Sequence, residues 1–131
     1  MTKFKNVKFS IFDTFVAEEF FSHYIHRFHP ECIKLLDSQD LHSLRLARQK
    51  VIENKNFEFF EENLKSVVNT EPDLFSHPED NTKHIREISS IYRSDHTFVV
   101  SDFEKNLLSK NYKLSKNTSM LPFFYPKDTI S

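Results

Sequence analysis

A chain of 131 residues accommodates one domain, which can bury roughly two thirds of its unfolded surface. With 38% hydrophobic residues, 28% charged residues and a net charge of −1, its composition is that of a globular protein and excludes wholesale disorder. The near-neutral balance argues against a nucleic-acid partner, which calls for a basic face, and the absence of glycine excludes a dinucleotide fingerprint or a P-loop.

In chain order, Lys8 to Asp13 reads as a first strand, with Val7, Phe9 and Ile11 on one face and Phe12 on the other, the pattern of a strand covered on both sides. Ala17, Phe20, Phe21, Tyr24, Ile25 and Phe28 follow at helical spacing, an amphipathic stripe that should pack on the sheet and that Pro30 stops. Cys32 to Leu36 is a second strand and Asp37 to Asp40 the polar turn after it. Asp40 is a reasonable N-cap for a helix with Leu44, Ala47 and Val51 on its inner side. Phe57, Phe60, Leu64 and Val67 or Val68 mark a further helix. Residues 69–82, with Pro72, Pro78 and an Asp80-Asn81-Thr82 cluster, read as a loop ending in a helix cap. Ile85, Ile88, Ile91 and Tyr92 form the next helical stripe.

Thr97 to Val100 is a third strand running into Ser101-Asp102-Phe103-Glu104, a capping box. Ser101 accepts from the Glu104 amide, and the Glu104 carboxylate is expected to return to the Ser101 amide. A helix to Tyr112, a polar loop and a short strand at Met120-Leu121 complete the pattern. Strands alternating with helices predict an α/β fold with a parallel sheet and flanking helices, joined by right-handed crossovers. The single cysteine, Cys32, falls in a buried strand, so disulfides play no part. No apolar run approaches the length of a membrane span and the first residues are polar, so the chain reads as soluble and cytosolic.

Ligands of open parallel sheets collect at the carboxyl ends of the strands. The candidate binding residues are therefore Asp13, Thr14, Asp37, Gln39, Asp40 and Ser101, with His42 singled out because an imidazole at a helix start can hydrogen-bond a hydroxyl or a carbonyl. A first-turn histidine with no ligand fits the same pattern, and aspartates here are more often turn formers. Arg45 and Arg48, one turn apart, could approach an anionic group, although such pairs are more often solvated helix charges. Glu19, His23 and His26 share a helical face at a spacing that suits metal ligands, but a solvated polar face explains it better, and no metal is assigned. No Ser-His-Asp order, HExxH or CxxC motif is present.

Glu87, Ser94-Asp95, Val99-Val100-Ser101, Glu104, Leu107-Leu108 and Leu121-Pro122 together resemble the segment that, in many retaining GT-B glycosyltransferases, closes the N-terminal Rossmann-like domain. Upstream, Phe12-Asp13-Thr14-Phe15 and the run from Leu36 to Arg45 are similar to a bacterial-type subgroup of the same enzymes. The resemblance covers nearly the whole chain, 1–131, as one partial Rossmann-like domain. It implies sugar transfer from a nucleotide-sugar donor to an acceptor, no cofactor, an acceptor wall built by this domain, and contact of His42 with the donor sugar. The family usually carries glycine near the first strand, a Gly-Val after the helix ending near Asn111, and a glycine after the final proline. This chain has Tyr112-Lys113-Leu114 and Pro122-Phe123-Phe124-Tyr125 instead. The donor-binding C-terminal domain is missing as well, so the chain alone is expected to be inactive. The competing readings are an interaction subunit whose protein partner supplies that domain, completing a split enzyme, and a non-catalytic fragment.

Overall fold

The computed structural model describes residues 6–53 and 78–123. Its elements are β1 (Phe9–Asp13), α1 (Thr14–Phe28), β2 (Ile33–Asp37), α2 (His42–Glu53), α3 (Pro78–Arg93), β3 (His96–Val99), α4 (Asp102–Tyr112) and β4 (Thr118–Met120). The strands form a four-stranded sheet in the order β1-β2-β3-β4, every pair parallel. This is the α/β, Rossmann-like arrangement of parallel strands and flanking helices that the alternation predicts. The helix expected over Phe57 to Val68 lies outside the described residues. The 69–82 loop is only partly within them, and there the chain is already helical from Pro78, a residue well suited to a first helical turn because its missing amide has no intrahelical partner to lose.

Consecutive strand order has a packing consequence. When parallel strands are added in one direction through crossovers of one hand, the connecting helices gather on one face of the sheet. The register aligns Phe12, Leu36, Thr97 and Thr118 across the four strands, and all four are buried. Phe12, Leu36 and Val99 pack with Leu44, Ile88, Ile91, Leu107 and Leu108 from the helices and with Leu41 from the turn before α2. On the opposite face Phe9, Ile11 and Ile33 are exposed and Leu35 and Phe98 half-buried. The expectation that β1 is covered on both sides is therefore corrected: its two apolar faces are real, but only the Phe12 side is packed.

A second correction concerns α1. Phe15 and Glu18 are the buried residues of this helix, Ala17 and Ile25 are half-buried, and Phe20, Phe21, Tyr24 and Phe28 are exposed. Ion pairs lie on the side that is packed. Buried Glu18 accepts Arg93 Nε at 3.0 Å and Nη2 at 2.7 Å, and Glu19 accepts Arg86 Nη2 at 2.5 Å, so that α1 turns its acidic side toward α3. At 3.6 residues per turn the aromatic stripe then points away from α3.

Without glycine, the tight left-handed positions fall to other residues: Asn6, Thr14, Gln39 and Lys113 all have positive φ. Lys113 closes α4, donating its amide to Ser109 O at 3.2 Å, and Leu114 donates to Leu108 O at 3.3 Å, a helix end usually given to glycine.

Candidate functional site

The turn after β2 is the best-anchored piece of the carboxyl edge. Ser38 donates from its amide (3.1 Å) and from its hydroxyl (2.7 Å) to Phe98 O, which ties the end of β2 to β3. Gln39 N donates to Asp37 Oδ1 at 3.1 Å, and Gln39 Nε2 donates to Asp13 Oδ1, linking the ends of β1 and β2. Gln39 has φ 59° and Thr14 has φ 70°. The second is a strained conformation for a β-branched residue, and strain of this kind concentrates at binding edges.

Two buried carboxylates from other elements hold Leu41, His42 and Ser43. Glu87 on α3 accepts from His42 N at 2.7 Å, Ser43 N at 3.1 Å and Ser43 Oγ at 2.6 Å. Burial pushes its carboxyl above the usual range, and the bonds from Ser43 and His42 oppose that shift. Glu104 on α4 accepts from Leu41 N at 2.9 Å through one oxygen, and from Val100 N at 3.0 Å and Ser101 Oγ at 3.2 Å through the other. Ser101 Oγ accepts in turn from Glu104 N at 3.3 Å, which is the expected forward half of the capping box. The return half differs, because the Glu104 carboxylate reaches Val100 and crosses to Leu41. Asp40 likewise does not take the capping role expected of it. The first amides of α2 are capped from α3, and Asp40 instead faces His42 Nε2 at 3.6 Å and Arg45 Nε at 3.5 Å.

His42 is thus the first residue of α2, partly exposed, with its ring edge-on to Phe15 at 5.3 Å between centroids. The structure brings Asp13, Asp37 and Gln39 into one hydrogen-bonded cluster, His42, Asp40 and Arg45 into a second, and joins Ser101 to Leu41 through Glu104. Thr14 begins α1 beside the first cluster. Arg45 and Arg48 both border a cleft of about 580 Å³ between α2 and the β3–α4 turn, floored by Leu41, Leu44 and Val100. The Arg48 guanidinium lies 5.0 Å over the Phe103 ring.

Glu19 is engaged with Arg86, and among the described residues no group of three or more histidine, cysteine or carboxylate side chains is placed to hold a metal ion. Among them, too, no helix is long and apolar enough to cross a membrane.

Sequence reasoning missed the cross-linking roles of Glu87 and Glu104. A signal was available in their periodicity: Glu87 shares its stripe with His84, Ile88 and Ile91, and Glu104 with Leu107 and Leu108. A carboxylate on the inner face of a helix must find donors from elsewhere in the fold. In comparisons with known proteins, no family model, no curated protein and no solved structure matches the chain.

Proposed function

We propose that this chain is the later part of the N-terminal, acceptor-side domain of a cytoplasmic GT-B glycosyltransferase, and that its carboxyl rim presents His42 to the sugar of a nucleotide-sugar donor. The observation that carries the reading is the setting of His42: its amide is anchored on Glu87, its ring rests against Phe15, and Asp40 lies beside its outer nitrogen. Carboxylates, a carboxamide, an imidazole and a guanidinium along one rim offer the mixed acceptors and donors that neighbouring sugar hydroxyls require. The donor diphosphate falls to a second domain, so the chain by itself transfers nothing. The alternative of an interaction subunit that completes a split glycosyltransferase draws on the exposed aromatic surface of α1.

Titration of the 15N-labelled chain with a panel of uridine and guanosine diphosphate hexoses tests the reading. The expected result is shifts clustered on residues 37–45 and 101, lost in His42→Ala, with no sugar released or transferred. Absence of shifts with every donor, or turnover by the chain alone, would contradict it.

A further inference from the structure

We infer that two copies of this chain join through β1, edge to edge about a two-fold axis, into one continuous sheet. The starting point is the state of that edge. Ile33 N donates to Lys8 O at 2.9 Å and Phe9 is in register with Ile33. In a parallel ladder the backbone groups alternate, so those of Phe9 and Ile11 point away from β2. Native edges are protected by lysine, proline or bulges, and the sequence Phe-Ser-Ile-Phe-Asp holds none of these. The other edge is different: β4 has three residues and Pro122 follows close behind.

The surfaces on either side of β1 point the same way. Phe9 and Ile11 are 59% and 69% exposed on the uncovered face of the sheet. On the helical side, α1 lies over β1 and β2, with its Glu18 and Glu19 flank against α3. Phe20 (69% exposed), Phe21, Tyr24 (53%) and Phe28 are on the flank turned away from α3, and among the described residues no strand pairs with the outer edge of β1. A strand bordered by exposed apolar side chains on both faces has the surroundings of an interior strand.

A second copy supplies what is missing. A dyad through Ile11 makes the two β1 strands antiparallel, with Ile11 opposite its counterpart and Phe9 opposite Asp13 of the other copy. It brings the two α1 helices together antiparallel above the joint, with the flanks that carry Phe20, Tyr24 and Phe28 facing each other. Such self-matching contact is the commonest form of soluble assembly. At about 200 Å² per aromatic side chain, the exposed parts of Phe9, Phe20, Phe21, Tyr24 and Phe28 amount to roughly 600 Å² per copy before Ile11 is added, against the ~800 Å² per partner of a standard stable interface. This inference does not rest on the sugar-transfer reading.

Sedimentation equilibrium of the full chain, whose monomer mass is 15.7 kDa, is expected to give twice that mass. Ile11→Lys and Tyr24→Glu should each weaken association at least ~30-fold, the scale of a central interface residue, while Ile85→Lys, on the exposed side of α3, leaves it unchanged. All three positions are exposed, and unaltered circular dichroism confirms that the variants fold. Hydrogen exchange at the Phe9 and Ile11 amides should slow as concentration rises, which pairing through α1 alone would not produce. A monomer at every concentration, including one whose surface a different chain covers, would overturn the inference, as would an association indifferent to Ile11→Lys.

Discussion

Glu87→Ala is expected to cost about 3 kcal/mol of stability, because the substitution strips partners from two buried or half-buried amides and one hydroxyl at once. Urea denaturation measures it directly, and the slope should stay constant while the midpoint falls. Glu104→Ala should cost about as much, since it releases Leu41 N and Val100 N together and removes the partner of the Ser101 hydroxyl. Ser101→Ala, which removes only a cap, should cost about 1 kcal/mol. The contrast matters: if Glu104 did no more than complete its own helix, the two variants would be equally mild. Equal losses would mean that the carboxylate does not bridge α4 to the turn after β2.

The second large effect belongs to His84, and it is a dependence on pH. The side chain is buried on α3, its Nε2 is 2.5 Å from Tyr112 Oη, and its Nδ1 has no hydrogen-bond partner in the structure. Burial lowers its pKa from 6.5 to about 4. A histidine whose pKa is depressed on folding contributes its full stability above the unfolded value and loses it as the pH falls toward the folded one. Between pH 6.5 and about 4 the protein should therefore lose about 3 kcal/mol through this group, at 1.36 kcal/mol per unit. His84→Leu should flatten the curve in that window. Glu87 acts in the other direction, because a carboxyl raised by burial favours the folded state more as the pH falls. Glu19, lowered chiefly by its hydrogen bond to Arg86, loses its contribution only below the usual carboxylate range. A wild-type curve as flat as that of His84→Leu would contradict the burial of the unprotonated ring.

How much of this was legible in the chain differs from element to element. The strand ends were readable because apolar runs stop at Asp13, Asp37 and Ser101, and a parallel sheet places such ends along one side whatever the strand order. The covered face was not readable. Phe9, Ile11 and Phe12 are apolar on both sides of one strand, and only the order of the strands leaves one side bare. The α1 stripe was identified correctly as a stripe and assigned the wrong neighbour, since periodicity gives the angle between side chains and not the direction in which they point. Glu18 and Glu19 face α3, where their partners are arginines more than sixty residues away. The cap of α2 escaped for the same reason: Asp40 is the nearest residue of the right type, but Glu87 lies across the fold.

The turn carrying His42 is held by carboxylates from α3 and α4, which bond the amides of Leu41, His42 and Ser43. Amide hydrogen exchange at Leu41, His42 and Ser43 tests it most directly. The account predicts protection comparable to Leu36 and Val99 in the strands, falling to loop rates at His42 and Ser43 in Glu87→Ala. Exchange at those amides as fast in the wild type as in the variant would contradict it.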